Sequence, residues 1–406
     1  MGRKFTYYPG DFGPPPVRIL HMDLIFDIYE DHTRVLSRVC AESTEENVRR
    51  ISLDCRVASV HNVQLNGTAV ASDYAEKERK LHIYPESPIP RGQVFHLQTD
   101  TTAVPSRTVL EGLYYDATPP GAPPQQITQC QQWGFQRLVP CIDEMTAKCT
   151  YSTTIIADGR YTHLISNGDI IEPLHPIGNG RQRIRYENVK TPMAPYLFLL
   201  AAGTYAPFGR TFEYPDGREF RLELLVPPGS DPDAAAIALD VLYDAVLWVY
   251  LWTGPESYLQ PDTRTAVYEL ARDRERLRKN GGSPDALARV RAELRQIAGQ
   301  IIPGYTYTGT VYREIGMQNS DFGGMENVGN TTISTNRIMP FPHMTDPAFE
   351  YMVRVKVHEY YHNLNGSEVT GQTPFELWLN EAVTVLIENK HHAFHFGKPY
   401  NRLQTV

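Results

Sequence analysis

The most constraining feature of this sequence is a pair of histidines four residues apart, followed at a fixed distance by a glutamate. His358 and His362 lie in the pentapeptide HEYYH, and Glu381 follows after eighteen intervening residues. Residues four apart share one face of an α-helix, so both imidazoles can reach a single ion at roughly 2.0–2.1 Å. Two histidines and one carboxylate leave the fourth position of a tetrahedral ion to water, which is typical of a catalytic zinc site.

Glu359, between the two histidines, has a separate predicted role. It is rotated about a hundred degrees from His358 around the helix axis, so it misses the ion and faces the open position. A carboxylate there can take a proton from water and act as a general base. The alternative is that Glu381 and the histidines are ordinary solvated groups on helix surfaces, because a bare H-E-x-x-H pattern also occurs by chance.

Helix-capping signals place these residues on two antiparallel helices. Asp346 reads as an N-cap followed by proline at the first helical position, which predicts a helix over residues 347–364. The stretch TPFE at residues 373–376 is a capping box that opens a second helix carrying Glu381. A short loop between the two helices can bring Glu381 beside the two histidines.

The end of the second helix carries a further histidine cluster. Lys390, His391 and His392 are cations suited to a helix C-terminus, which is where we expect the helix to end. His391 and His395 are four residues apart and could hold a divalent ion. We assign no carboxylate to this pair, so we expect a polar helix end instead.

A motif with two glycines lies upstream of the zinc pentapeptide and comprises Gly323, Gly324, Met325, Glu326 and Asn327. The glycines lack Cβ atoms, so another backbone can approach closely, as an extended peptide pairing with a strand edge requires. Glu326 then offers a negative charge at the end of that strand, and a free α-amino group carries the opposite charge near neutral pH. The alternative is a turn after a strand, with Glu326 in solvent.

At these residues the chain resembles the aminopeptidase N family of zinc metallopeptidases, the gluzincins, whose signature is H-E-x-x-H, eighteen residues and a glutamate. The likeness spans most of residues 107–398. At the two glycines of the 323–327 motif, the chain resembles leukotriene hydrolase, an aminopeptidase of the same family, as closely as it resembles the bacterial enzymes. The resemblance implies one Zn²⁺ ion per chain, with Glu359 as general base and three ligands: His358, His362 and Glu381.

The same resemblance implies a substrate site for peptides with a free N-terminus. It assigns substrate binding to the whole 323–327 motif, including Met325 and Asn327, with Glu326 as the anchor for the amine. Gln129 and Gln131 would border the first substrate pocket, although Gln131 stands where several bacterial relatives carry an acid. Glutamines that bond loop backbone are the alternative for these two residues.

Charge and composition exclude several classes of partner. The chain has 39 basic and 47 acidic residues, a net charge of −8, and no dense run of lysine or arginine that would bind nucleic acid. The apolar stretch 234–252 contains Asp240 and Asp244, which favours a buried helix over a membrane span. Five cysteines without metal-site spacing suit free thiols in a reducing compartment. We therefore expect a cytoplasmic protein that binds neither nucleic acid nor membrane.

Residue patterning predicts a multidomain α+β fold. Residues 1–205 alternate apolar and polar positions between frequent turns, including a hairpin turn at 30–32, which predicts an N-terminal all-β domain of sandwich or saddle shape. Residues 206–406 begin with a strand at 219–226 and, by the resemblance, form a thermolysin-like zinc peptidase domain. Two arginine-rich helical stretches at about 258–303 resemble an inserted αα-hairpin. We expect a solvated decoration there, with a partner-docking arm as the alternative.

The chain ends twenty-five residues after Glu381, so we expect the C-terminal helical half of the catalytic domain to be truncated and apolar surface of the zinc helices to be exposed. In the family, a tyrosine well downstream of the third ligand steadies the oxyanion. Tyr305, Tyr307 and Tyr312 are guesses at a substitute. Three functions stay open: a zinc aminopeptidase, a lipid epoxide hydrolase that uses the same zinc, and a non-catalytic binding or scaffold protein.

Overall fold

Strands build the first half of the chain. The computed structural model describes residues 6–116, 125–318 and 323–405. Within these ranges the strands of the first half are β1 (Val17–Ile28), β2 (Thr33–Ser43), β3 (Ile51–Asp54), β4 (Ser59–Leu65), β5 (Thr68–Ala69), β6 (Ala71–Ala75), β7 (Lys80–Tyr84), β8 (Val94–Ala103), β9 (Gly112–Asp116), β10 (Gln125–Gln129), β11 (Cys149–Asp158), β12 (His163–Ser166), β13 (Asp169–Gly178), β14 (Arg181–Met193) and β15 (Leu200–Gly203).

The first two strands show why this half is a β domain. Along β1 and β2, buried side chains alternate with more exposed ones, so one face of the sheet packs inward. The predicted hairpin is confirmed, because the two strands pair antiparallel with Ile28 opposite Thr33. They lie inside an eight-stranded sheet of order β13-β14-β11-β1-β2-β8-β4-β5. The other strands form sheets of order β12-β15-β10-β9 and β3-β7-β6, so the predicted N-terminal β domain is confirmed.

Helices dominate the second half of the chain. Its elements are β16 (Ala206–Glu213), β17 (Glu219–Val226), α1 (Pro232–Trp252), α2 (Pro261–Lys279), α3 (Pro284–Ala298), β18 (Val311–Met317), β19 (Gly324–Met325), β20 (Asn330–Ser334), α4 (Thr335–Ile338), α5 (Asp346–Tyr361), α6 (Leu377–Phe396) and α7 (Lys398–Gln404). A mixed five-stranded sheet of order β16-β17-β18-β20-β19 supports these helices. The strand predicted at 219–226 coincides with β17, and the multidomain α+β fold is confirmed.

The apolar helix α1 is a core element. Its N-terminus is capped by Asp231, whose side chain accepts the amide N–H of Asp233. The helix is long and apolar enough to cross a membrane, but 78% of its apolar window is buried inside the protein. It packs against α5 and the strands β16 and β17. The prediction of a buried helix is therefore confirmed.

Helices α2 and α3 form the predicted helical hairpin, but the expectation of a solvated decoration is wrong. Val267 of α2 and Leu294 of α3 are buried in the same hydrophobic core as α1. Arg274 is also buried, and its guanidinium pairs with Glu213 of β16 and donates to the backbone carbonyl of Tyr214. Arginine normally marks a solvated face. Here Arg274, on the inner face of the hairpin, instead binds Glu213 of β16, a strand distant in the sequence.

The outward face of α6 exposes large apolar side chains. Trp378 is 63% exposed, and Leu379, Val383 and Leu386 are exposed as well. The opposite side of the helix packs against α5. The predicted exposure of apolar surface on the zinc helices is therefore confirmed for α6.

We predict that Arg274→Ala lowers the free energy of unfolding by about 3 kcal/mol, because it removes one member of a buried ion pair and leaves backbone carbonyls without a donor. Urea denaturation measures the change. The matched control is Arg276→Ala on the same helix, whose side chain is exposed and pairs only with Asp273 among the described residues. Equal stability of the two variants would show that the hairpin is not part of the core.

Candidate metal centre

Helix α5 presents the two histidines on its last turn. The helix begins at Asp346 with Thr345 as its N-cap, so the predicted N-cap was one residue too late. Pro347 lies in the first turn as predicted. The helix ends at Tyr361, three residues earlier than predicted, and His362 is the C-cap residue. The chain turns back directly after this histidine towards the next helix.

Helix α6 carries the third predicted ligand. The predicted capping box is confirmed, because Thr373 accepts the amide N–H of Phe375 and Glu376 accepts the amide N–H of Thr373. The box caps a short 3-10 turn, and α6 follows from it. The predicted end at residues 390–392 is wrong, since the helix continues to Phe396.

Three donor atoms converge where α5 and α6 meet. The Nε2 atoms of His358 and His362 lie 3.0 Å apart. Oε2 of Glu381 lies 3.3 Å from Nε2 of His358 and 3.7 Å from Nε2 of His362. Two ligands of a tetrahedral zinc ion are about 3.3 Å apart when each bond is about 2.0–2.1 Å. The three atoms could therefore hold one ion together.

Hydrogen bonds on the far side of each imidazole determine which nitrogen faces this position. Nδ1 of His358 donates to the carboxylate of Glu388 at 3.1 Å, and Nδ1 of His362 donates to the carbonyl oxygen of Asn365 at 2.7 Å. A neutral imidazole protonated at Nδ1 keeps its lone pair at Nε2. With an ion bound, two lone pairs and a carboxylate oxygen would face it, and without an ion a proton held among these groups offsets their repulsion, in line with the raised pKa of His358. The donor set therefore fits a metal ion.

Glu388 was not predicted from the sequence. Its carboxylate also accepts from Arg354 of α5 at 3.0 Å, which holds it against His358. Glu388 follows Glu381 by seven residues, or two helical turns, and therefore lies on the same face of α6. The seven-residue spacing from Glu381 was therefore the sequence feature that could have identified Glu388 as a neighbour of the metal centre.

The charges at the centre favour a positive ion. Burial lowers the pKa of His358, but hydrogen bonds to Glu381 and Glu388 outweigh burial and raise the pKa to about 10. Hydrogen bonds from His358 and His362 hold the pKa of Glu381 well below its usual range. The Glu381 side chain is 42% exposed, whereas that of His362 is buried. An ionised carboxylate therefore stands at the mouth of the centre, and the imidazoles lie behind it.

Glu359 lies beside the triad with its carboxylate buried. Its Oε2 atom has no hydrogen-bond partner among the described residues, and burial raises the pKa of Glu359 to about 7. The carboxylate lies against Gly324, where an added Cβ would be 2.3 Å from Oε1. The missing side chain at this glycine thus makes room for Glu359, and the orphaned oxygen is available to a ligand.

The glycine motif lies at the edge of the five-stranded sheet, as predicted. Gly324 pairs with Ile333 of β20, and β19 is the last strand in the sheet order. Met325 is buried in the hydrophobic core of the N-terminal domain. The side-chain amide of Asn327 donates to the carbonyl of Met325 at 3.4 Å and to Thr332 at 3.3 Å. The motif therefore joins the two halves of the chain beside the metal centre.

Glu326 is buried at the end of this edge strand, so the alternative with Glu326 in solvent is wrong. Its Oε1 atom has no hydrogen-bond partner among the described residues. Its negative charge acts on His362 and raises the pKa of that histidine against the larger, opposing effect of burial. Gly323, at the start of the motif, accepts the amide N–H of Ser334 at 3.2 Å. Glu326 is therefore a second buried carboxylate with a free oxygen beside the centre.

Two family models match the sequence. The Peptidase M1 N-terminal domain matches residues 20–197, and the Peptidase family M1 domain matches residues 288–401. The chain belongs to peptidase family M1. The predicted relationship to aminopeptidase N and leukotriene hydrolase is thereby confirmed.

Individual M1 relatives are similar to this chain over nearly its whole length. Aminopeptidase N of Caulobacter vibrioides is 26% identical over 399 residues, which cover 98% of this chain and 39% of the relative. Leukotriene A-4 hydrolase of Xenopus laevis is 21% identical over 409 residues, which cover 98% of this chain and 55% of the relative. The crystal structure of Legionella pneumophila aminopeptidase A in complex with aspartic acid shares the fold, with a TM-score of 0.75 and 21% identity over 98% of this chain and 40% of that one. The M1 chain described here thus spans about two fifths of the length of the Caulobacter relative.

The two glutamines predicted to border the substrate pocket are placed differently from each other. Gln129 ends β10 and is buried, and its side-chain nitrogen has no hydrogen-bond partner in the part of the chain that the structure describes. Gln131 is half-buried in the loop that follows. Over the same residues, no hydrogen bond joins either glutamine to the metal triad. Their role in this M1 chain stays a prediction.

The three tyrosines considered as oxyanion donors are engaged elsewhere. The Tyr307 hydroxyl donates to the carbonyl of Val311 at 2.9 Å, and the Tyr312 hydroxyl bonds to that of Thr331 at 2.8 Å. Tyr305 is buried in the hydrophobic core, with its ring beside Tyr360 of α5. These tyrosines pack as core side chains, which argues against a role as oxyanion donors.

We predict that Glu388→Gln weakens zinc binding by about 10- to 100-fold, because the neutral amide orients and polarises His358 less well than a carboxylate. Isothermal titration of the metal-free chain with zinc measures the affinity. Glu293→Gln, the same substitution at an exposed position of α3, should bind zinc like the wild type. Identical affinities for Glu388→Gln and the wild type would contradict the assigned role of Glu388.

Proposed function

We propose that this chain carries the site of a zinc-dependent aminopeptidase, which removes N-terminal residues from peptides. One observation carries the proposal: a convergent set of metal-ligating atoms lies beside two buried carboxylates with free oxygens, Glu359 and Glu326. The M1 relatives named as aminopeptidases support it. M1 peptidases are zinc enzymes as a family.

The proposed metal site takes one zinc ion. His358 and His362 would hold it through Nε2, and Glu381 would hold it through a carboxylate oxygen. When bound, zinc would polarise the scissile carbonyl and acidify water. The Glu388 carboxylate and the Asn365 carbonyl would keep both imidazoles turned towards the ion.

Glu359 is the proposed general base. Its orphaned Oε2 atom can accept a proton from the attacking water, and the same carboxylate can then hand that proton to the leaving amine. Its position against Gly324 restricts the carboxylate to the side of the centre that faces the edge strand. A substrate lying along that strand would therefore meet the base directly.

The glycine motif is the proposed peptide-binding edge. An extended substrate can pair with β19 through backbone hydrogen bonds, since this strand lies at the end of the sheet. The buried Glu326 carboxylate would bind the positively charged α-amino group and so fix the distance from the substrate N-terminus to zinc. Fixing that distance would limit cleavage to one residue at a time. We assign supporting contacts with the substrate to Gly323, Gly324, Met325, Asn327, Gln129 and Gln131.

The proposed compartment is the cytoplasm. All five cysteines are free thiols, and four of them are buried. Free thiols in this number suit a reducing environment. The proposed partners are peptide substrates, and neither nucleic acid nor membrane is among them.

We predict that Glu359→Gln lowers turnover of aminoacyl reporter substrates by about 10²- to 10⁴-fold, because it removes the general base and leaves the three zinc ligands in place. Steady-state kinetics and metal analysis on the same preparation measure both properties. Zinc content should match that of the wild type, and Glu269→Gln, an exposed carboxylate of α2, should change neither. Normal turnover in Glu359→Gln would exclude this residue as the base.

Turnover of aminoacyl reporters and of a lipid epoxide, measured together with zinc content, separates the aminopeptidase from its alternatives. A chain that binds zinc and hydrolyses a lipid epoxide, but no aminoacyl reporter, would be an epoxide hydrolase. A chain that binds zinc and turns over neither substrate would be a binding protein. Either result would overturn the proposed function.

We predict that Glu326→Gln lowers kcat/KM for substrates with a free α-amino group by about 10- to 100-fold, because a hydrogen bond to a charged group contributes about 1.5–3 kcal/mol. The control is an N-acetylated version of the same reporter, which has no positive charge to bind. The wild type should discriminate strongly between the two substrates, and the variant should discriminate less. Unchanged discrimination would exclude Glu326 as the amine anchor.

A further inference from the structure

A second cluster of metal-ligating side chains lies near the far end of α6. His391 and His395 face Asp244, which α1 contributes from much earlier in the chain. The sequence predicted a polar helix end here. The nearest carboxylate in sequence, Glu388, bonds to His358 and Arg354 instead. The structure corrects that expectation by supplying the carboxylate from a different helix.

The geometry of this cluster resembles that of the first. Nε2 of His395 lies 2.7 Å from Oδ2 of Asp244, and Nε2 of His391 lies 3.6 Å from the same oxygen. All the donor atoms lie within 4.8 Å of one another. As in the first centre, these distances lie on either side of the roughly 3.3 Å expected between ligands of one tetrahedral ion. Both clusters also share one donor set, two imidazoles four residues apart on a helix and one carboxylate from another helix.

His391 is the unexplained member of the cluster. Its side chain is 1% exposed, and neither ring nitrogen has a hydrogen-bond partner among the described residues. A buried imidazole with both nitrogens unsatisfied is rare in proteins. A metal ion would satisfy one of these nitrogens.

The two carboxylate oxygens of Asp244 have different neighbours, and Oδ2 is the one that faces the histidines. Oδ1 accepts from the hydroxyl of Tyr268 and lies 3.3 Å from the guanidinium of Arg272. Oδ2 therefore remains for an ion held with His391 and His395. Arg272 also places a positive charge beside the site, so we expect weaker metal binding here than at the first centre.

Access and neighbouring groups suggest binding without catalysis. A surface pocket of about 330 Å³ reaches the cluster and is lined in part by Phe349 and His395. His395 is 25% exposed, so an ion can enter and water can complete its coordination. The residue after His391 is His392, which bonds to Glu350 at 3.0 Å and cannot act as a carboxylate base. Asp240, the other carboxylate that lines this pocket, is paired with Arg210 and Lys279 and so is not free to act as a base as Glu359 is.

We propose that Asp244, His391 and His395 form a second binding site for zinc or a similar divalent transition metal. Imidazole ligands with a single carboxylate suit zinc and the other late first-row ions. The bound ion would clamp α6 to α1. Because α6 also carries Glu381 and Glu388, this clamp would hold the helix that supplies the third ligand of the first centre.

The test is the zinc stoichiometry of the metal-free chain, measured by isothermal titration and by metal analysis after dialysis. The key variant is His395→Gln, which removes a ligand from the more exposed side of the cluster. The expected result is the loss of one zinc equivalent relative to the wild type. His358→Gln should lose the other, tighter equivalent and keep the one that depends on His395, so this result does not rest on the proposed function.

Controls distinguish a site from surface binding and from misfolding. His96→Gln, at an exposed histidine of β8, should bind as much zinc as the wild type. Asp244→Asn provides a second variant and should also lose one equivalent. Zinc should raise the thermal midpoint of the wild type more than that of His395→Gln. Equal stoichiometry in the wild type, His395→Gln and Asp244→Asn would overturn the proposal.

Discussion

The contact between the Glu381 carboxylate and the two imidazoles of α5 is the interaction around which the second half of the chain is organised. The three donor atoms lie 3.0–3.7 Å apart, a spacing that requires positive charge among them. Two independent helices must be held to this distance. Behind α5, Lys356 forms a fully buried ion pair with Glu314 of β18, which fixes the rotation of the helix against the sheet. Such a pair tolerates little displacement, because separation would leave either charge buried alone.

The N-terminal β domain contributes directly to this arrangement. The Tyr196 hydroxyl donates to the carbonyl of Gly366 at 3.1 Å, and Lys148 donates to the carbonyls of Ser367 and Glu368 at 2.9 Å. These bonds hold the loop that joins α5 to α6. Met325, next to the buried Glu326, packs into the core of the same domain. The metal centre, whose residues all lie in the second half of the chain, is therefore braced by contacts from the N-terminal β domain.

Features decided by neighbouring residues could be predicted from the sequence. The H-E-x-x-H spacing, the capping box before α6 and the edge position of the glycine motif all depend on local periodicity or turn chemistry. Features decided by distant contacts could not. Asp244 meets His391 only because α1 and α6 pack together, and Arg274 is buried only because Glu213 lies opposite it. A charged residue in a sequence carries no sign of the partner that allows it to be buried.

The apolar outer face of α6 has a practical consequence for work with the isolated chain. Trp378, Leu379 and Leu386 present hydrocarbon to water on the helix that also supplies Glu381. Surfaces of this kind adhere to one another and to amphiphilic dyes, and the tendency grows with protein concentration. A dilute, freshly prepared sample is therefore the appropriate material. Self-association through α6 would obstruct access to Glu381 without altering the residues of the metal centre.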